Sequence, residues 1–426
     1  MNKLRTTKII LINLLVINSF ILAVTPTNFY SPYDINWRLT DCKDKSFLLA
    51  FNIEAGDSTK SRDMAEHKRD LLKMYNTTES SLAMLMGDQK DSDIYNLANL
   101  LIPAYNPSTD DGVRGHFDLG GRFSQEIINV QARYKLPIET IPGNFDFYFH
   151  VPFTHMKLSN VSWTDLTKEV LSSDLDVHKH LTDDIFNNVK NLGDGLDLTG
   201  FEYFTLSDVV TQLWWYMDYK QTKEHLKNVR INCRIGLTIP TGHEQSENKI
   251  LDMPTGNDGS WGIPMAAGID LTFIRDFRAG LEFEMLFSLD NTKIRRLKTD
   301  SNQTDFLLLH KGEATRSPGM VWKFNLYMQK RFAKYFTAKL AYNFFRHDSD
   351  DLTAESNNFD YSIINTAERY QEWSYQNVIF QLNCDLFKQE SKYKVKPQIS
   401  LFAKLPIAGK RVIDIYTFGG QIGFNF

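Results

Sequence analysis

The chain ends Val412-Ile-Asp-Ile-Tyr-Thr-Phe-Gly-Gly-Gln-Ile-Gly-Phe-Asn-Phe426. Read at every second position, one set is Tyr416, Phe418, Gly420, Ile422, Phe424 and Phe426. The other is Ile413, Ile415, Thr417, Gly419, Gln421, Gly423 and Asn425. Successive side chains of a strand point to opposite faces, so this pattern predicts a strand with one apolar-aromatic face and one small or polar face.

A terminal Phe with aromatic or apolar residues at alternate positions behind it resembles the C-terminal signal of bacterial outer-membrane barrels. The resemblance implies that Phe418, Ile422, Phe424 and Phe426 form an insertion signal read by the barrel-insertion machinery.

Working back from this end, the same period recurs. Val229, Ile231, Cys233, Ile235, Leu237 and Ile239 alternate with Arg230, Asn232, Arg234, Gly236 and Thr238. Val378, Phe380, Leu382, Cys384 and Leu386 form another such face, as do Trp322, Phe324, Leu326 and Met328, and Phe145, Phe147, Phe149, Val151 and Phe153. Soluble sandwiches also alternate. These runs reach about 10 residues, the span of a tilted transmembrane strand, against the usual ~5–6 of a globular one.

About twelve runs are countable on this period, centred near Leu49, Val130, Phe149, Leu213, Cys233, Leu271, Phe283, Leu326, Leu340, Leu382, Leu401 and Phe418. The links between them alternate in length. Long ones run from Gly56 to Arg122, Ser159 to Thr205, Thr241 to Ile263, Asn291 to Gly319 and Asp348 to Glu372; those between are short, as is the last link, Ala408 to Arg411. Short periplasmic turns and longer outer loops are the arrangement of a transmembrane barrel. The expected fold is therefore all-β: a single antiparallel up-and-down barrel in the outer membrane, embedded in its lipid, with both termini periplasmic.

The start of the chain reads as an export signal. Lys3, Arg5 and Lys8 precede an apolar stretch from Ile9 to Val24. An uncleaved anchor is the alternative, and lipidation at Cys42 a weaker one. The expected organisation is a signal peptide over 1–24, a periplasmic segment over 25–45 and the barrel over 46–426.

Composition bounds the function. Hydrophobic residues make up 42%, charged residues 23%, and the net charge is -4. That balance offers no field for a polyanion, so nucleic acid is not an expected partner. A mean hydropathy of -0.34 is compatible with a barrel, because lipid-facing and lumen-facing residues average out. Cysteines at 42, 233 and 384 are too few and too scattered for a disulfide framework or a metal site.

On this register the inner wall carries Arg133, Lys135, Arg230, Arg234, Lys323, Lys339 and Lys404 with Asp146, Asp208, Asp270, Glu282, Glu284 and Asp385. A channel lined by such charges filters solutes. The plainer reading is neutralisation, with Glu282 or Glu284 paired to Lys323 across neighbouring strands. The two readings are compatible.

Two long loops carry helical spacing of apolar residues, over Met64–Met86 and over Leu166–Leu192. The second has Thr182 or Asp183 placed as an N-cap. At least one of the helices is expected to narrow the lumen, since their apolar faces need burial. Possible chemistry is confined to loops: His347 with Asp348, Asp350 and Asp351; Asp110, Asp111, His116 and Asp118; Asp176 and His178. These would serve as an Asp/His dyad or a calcium site, but their spacing matches no catalytic motif, and no cofactor or resident metal is expected.

Arg234-Ile-Gly-Leu-Thr-Ile-Pro-Thr-Gly242, together with Leu206-Ser-Asp-Val209, resembles a motif of porin-like barrels linked to uptake of small organic solutes. The leading expectation is a porin-like channel for small solutes rather than an enzyme. The alternative is a barrel that displays its outer loops for adhesion, and a hydrolase at the rim comes third.

Overall fold

The computed structural model describes residues 46–102, 112–138, 140–386 and 394–426. The expected signal peptide, the 25–45 segment, Cys42, Asp110 and Asp111 lie outside them.

Twelve antiparallel strands form the wall: β1 Phe47–Ser58, β2 His116–Leu136, β3 Asn144–Asp165, β4 Val209–Lys220, β5 Leu226–Ile239, β6 Gly262–Phe273, β7 Phe277–Ser288, β8 Val321–Arg331, β9 Phe336–His347, β10 Trp373–Asp385, β11 Lys396–Lys410 and β12 Tyr416–Asn425. Each pairs with the next in sequence, and β12 pairs with β1, which closes the ring. The seam runs from Leu48 opposite Asn425 to Asp57 opposite Tyr416. Beyond it Phe426 N donates to Phe47 O at 2.8 Å, so the backbone of the last residue is tied into the wall. Closure leaves no unpaired strand edge, which a wall in lipid requires.

Burial follows the period of two. On β12 Phe418 is 62% exposed, whereas Thr417 and Gln421 are buried. Exposed apolar residues face outward all round the ring, from Phe51 and Ile53 to Ile399 and Leu401. Cys233 lies on this outer face.

β2 and β3 have 21 and 22 residues, about twice the ~10 needed to cross a bilayer, and they project beyond the wall at the long-loop end. Their outer face changes character there. Ile128 and Phe149 give way to the polar or charged Glu126, Arg122, His155 and Lys157, with Arg122 paired to Asp57 at 2.8 Å and Lys157 to Glu202 at 2.6 Å. This switch marks the upper edge of the apolar band.

The inner faces of the same extensions turn apolar: Phe117, Leu119, Phe123, Met156, Leu158 and Trp163 are buried there. Leu71, Leu85 and Leu101 from the first long loop, Leu181 and Val189 from the second, Leu251 from the third, Leu307 from the fourth and Ile413 from the last share one core with them. The long loops therefore build a packed cap. Two three-stranded sheets frame it, one of Asn291–Arg296, Lys311–Ser317 and Asp351–Ala354, the other of Val412–Ile413, Lys60–Arg62 and Lys68–Asp70.

Three local expectations are corrected. Met64–Met86 folds as extended pieces and single 3₁₀ turns at Leu71–Lys73 and Ala83–Leu85; the helix of that loop, α1, is Asp93–Leu101, capped by Ser92. The second loop is helical as expected, with α2 Ser172–Val177 and α3 Ile185–Leu192, but the cap of α3 is Asp184, not Thr182 or Asp183. Finally, Val412, Ile413 and Ile415 leave the wall for the cap, so the closing strand begins at Tyr416.

Candidate functional site

The inner wall is lined by small, polar and charged side chains. Asp146, Asp270, Glu282, Glu284, Arg133, Arg234, Lys323, Lys339, Asp385 and Lys404 are buried on the inward face; Lys135 and Arg230 share its parity and are half-buried. The charges meet in pairs around the ring: Arg133 with Asp146 at 4.0 Å, Arg230 with Asp218 at 2.8 Å, Arg278 with Asp270 at 2.8 Å, and Lys404 with Glu54 at 2.8 Å. Tyr327 donates its hydroxyl to Asp270, and Thr417 donates to Glu54 at 2.5 Å. Such pairing is what makes charge tolerable inside a wall.

The centre of this lining is Arg234 on β5. Its guanidinium reaches Glu282 at 2.5 Å and also Glu284, both on β7, which is not its neighbour. The intervening strand makes this possible. In register, Ala266 of β6 lies between Arg234 and Glu284, and Gly268 between Asn232 and Glu282. A Cβ on Gly268 would come within 2.8 Å of Leu281 O and 3.2 Å of the Asn232 amide.

Lys323 is the register partner of Glu284, as the sequence suggests. The glutamates also meet Arg234, and the Lys323 ammonium lies 5.3 Å from the centre of the Phe345 ring. Register fixes which Cα atoms are opposite; side-chain length and the small residues of β6 let a charge reach across a strand as well. Lys339 is similarly placed 5.2 Å from the Tyr327 ring, within cation–π range.

At the long-loop end, the two stretches that resemble a solute-uptake motif come together. Asp208 accepts from Gly242 N at 3.0 Å and Asn257 N at 2.7 Å. Thr241 donates its hydroxyl to Ser207 O at 2.7 Å and accepts from Val209 N at 3.1 Å. A Cβ on Gly256 would occupy the space of the Asp208 carboxylate. Burial raises Asp208 to about 6 against the pull of the two amides. The motif is thus a clasp that fixes the 240–261 loop to the start of β4.

Two further polar centres tie loops together. Asp258 pairs with Lys293 at 2.5 Å and Arg295 at 2.9 Å and lies 3.4 Å from Arg316, which binds Asp350 at 2.6 Å. Burial pushes Asp258 up, but Arg316, Arg295 and Lys293 together hold it at about 2. Glu79 and Asp305 are both fully buried and are bridged by Asn76, which donates to Asp305 at 2.7 Å and Glu79 at 3.5 Å. Burial first, and the Asp305 charge second, raise Glu79 to about 7.

The loop clusters considered for catalysis or calcium are taken up by the cap's own framework. His347 stacks on Trp373 and stands 3.6 Å from Asp350, whose carboxylate is bound by Arg316 and Gly319 N. Asp348 accepts from Trp322 Nε1 and Asp351 from the Tyr361 hydroxyl. Asp118 pairs with Lys73, and His116 Nδ1 is 3.0 Å from Arg114 O. His178 faces Asp165 and Asp183, while Asp176 points to solvent. Of these sets, His347 and Asp350 are brought together, at a carboxylate that Arg316 also binds, whereas among the described residues His116 and His178 are held by groups outside their own sets. Among the described residues, no group of three His, Cys, Asp or Glu is placed to hold a metal.

No protein-family model matches the sequence, nor does any curated protein. In structure the chain is similar to an outer membrane channel from Pseudomonas putida F1, at 9% identity and a TM-score of 0.50, with 91% of this chain and 100% of that chain covered. The TodX monoaromatic hydrocarbon channel, as a deletion mutant, aligns at 8% identity and a TM-score of 0.37, covering 90% of this chain and 91% of that one. The NanC porin aligns at 8% identity and a TM-score of 0.29, covering 73% and 98%. The fold is that of outer-membrane β-barrel channels.

Proposed function

We propose that this protein is an integral outer-membrane channel of porin type that passes small solutes passively through the polar interior of its barrel. The observation that carries this reading is the closed wall itself, apolar outside and lined inside by paired charges. In this reading both termini face the periplasm, residues 1–24 are the export signal, and Phe418, Ile422, Phe424 and Phe426 are read by the insertion machinery. The cap, with α2 and α3 in its core, sets what enters and restricts the bore. The test is a planar-bilayer recording of folded, heat-modifiable protein: discrete conductance steps are expected, and their absence would sink the reading.

One observation favours a second reading. The long loops are not loose but share a core and two small sheets. A rigid surface of this kind also suits a display or adhesion scaffold. That reading predicts a silent barrel whose cap, grafted on another barrel, still confers cell or matrix binding.

A further inference from the structure

At the short-turn end, three connections lie side by side: residues 221–225 after β4, 274–276 after β6 and 332–335 after β8. They form one continuous rim. Ile274 N donates to His225 O at 2.9 Å, Lys330 donates its ammonium to Arg275 O, and Asp385 N donates to Tyr335 O at 2.8 Å, joining the rim to β10.

Six exposed cations stand on this sector: Lys220, Lys223, Lys227, Arg275, Lys330 and Lys334. None has a carboxylate partner among the described residues. The acidic groups nearby are Asp218, which is neutralised by Arg230 at 2.8 Å, Glu224, 4.0 Å from His225, and Asp276. At the opposite edge of the apolar band, by contrast, the outward Arg122 and Lys157 are each paired with a carboxylate. Six cations without a carboxylate partner among the described residues are therefore gathered within one sector of this rim.

Aromatic rings lie directly beneath it on the outer face. Tyr219 is 40% exposed, Phe336 39% and Phe332 61%; Phe332 packs on Phe336 at 6.1 Å, and Phe273 on Phe277 at 5.7 Å. Amphipathic and aromatic side chains settle at the headgroup level of a bilayer, and long basic side chains reach from there toward phosphate.

We propose that this rim is a binding surface for the phosphate headgroups of anionic phospholipids in the leaflet at the short-turn end. The inference rests on the reading of the barrel as membrane-spanning. The aromatic belt contacts the glycerol and upper acyl region, and the six cations hold the lipid phosphates above it.

The test is native mass spectrometry of the folded barrel released from mixed micelles holding equal amounts of phosphatidylglycerol and phosphatidylcholine. Preferential retention of phosphatidylglycerol is expected. Replacing Lys220, Lys223 and Lys227 by Gln should reduce that preference by about fivefold or more, the scale of even one basic residue at an anionic surface. Arg122→Gln with Lys157→Gln should leave it unchanged. A separate Lys330→Gln and Lys334→Gln variant serves if the triple variant does not fold.

Equal retention of the two lipids, or a preference indifferent to both rim variants, overturns the proposal. So does displacement of the lipid by inorganic phosphate alone, which would make the rim a simple anion site. Heat-modifiable gel migration is read on every sample. Its absence in the wild type would count against the membrane barrel, whereas a folded barrel without lipid preference refutes only the rim.

Discussion

Arg234 and Glu282 meet at 2.5 Å although a whole strand separates the strands that carry them. The cation on β5 passes over Ala266 and Gly268 and joins Glu284 as well, so one guanidinium bridges two carboxylates. Arg234→Gln should remove the positive charge that those two carboxylates share on the inner wall. In a salt gradient across a planar bilayer, the reversal potential should move toward cation selectivity. Glu282→Gln with Glu284→Gln should move it the other way. Ala266→Leu should resemble Arg234→Gln, because its side chain fills the path that the arginine uses.

Asp208 binds two backbone amides in the clasp between β4 and the 240–261 loop. Asp208→Asn places an amide where both partners are donors and should loosen the loop by about 1–3 kcal/mol, the scale of lost buried hydrogen bonds. Gly256→Ala should do the same by steric exclusion of the carboxylate. Faster hydrogen exchange at Gly242 and Asn257 in both variants would show it; unchanged exchange would mean that the clasp is not what holds the loop.

The cap should be pH-sensitive through Glu79. Its folded value, about 7, lies above the ordinary 4.5. Between those values the folded cap keeps a proton that an unfolded loop has released, so stability falls as pH rises. The contribution is full below about 4.5 and is lost as pH passes through about 7. Exchange protection around residues 76–86 and 303–306 should therefore be greater at mildly acidic pH than in mild alkali. Glu79→Gln should remove most of that difference.

Leu181 is fully buried in the cap core. Leu181→Ala should cost roughly 2–5 kcal/mol there, as other large-to-small core changes do. The barrel wall does not contain this residue, so heat-modifiable migration should survive while protease cuts appear within 166–208. Loss of the barrel band together with the cap would show that the two do not behave as separate units.

Deleting Phe426 removes the backbone pairing with Phe47 and a ring contact at 6.0 Å. Assembly through the insertion machinery should slow severalfold, while refolding of purified chain into detergent should persist. Equal slowing of both processes would indicate that the residue matters to the seam and not as a signal.

The wall is legible in the sequence because its physics is periodic. Side chains such as Phe418 and Thr417 must alternate between lipid and interior, and the spans must be long enough to cross, so period and length together locate every strand. The cap is not periodic. Leu71, Leu72, Met74, Leu82 and Leu85 are apolar because they are buried, but their core is assembled from several loops, and 3₁₀ turns or extended pieces serve as well as a helix. Apolar spacing there indicates burial without specifying conformation. The Asp208 clasp is legible only as two short stretches far apart in the chain; nothing in either announces that they touch. The bond from Arg234 to β7 depends on Ala266 and Gly268, residues whose contribution is their small size.

The cap core gathers residues from Leu71 through Ile413 and Ile415. Its first contributors therefore emerge long before its last, and closing so long a loop is entropically late in any folding sequence. Until the chain preceding β12 arrives, this core lacks Ile413 and Ile415 and is incomplete. Completion of the cap thus reports that the ring has shut, and a protease or chaperone that tests for exposed apolar loops can distinguish a finished barrel from one still missing its final strand.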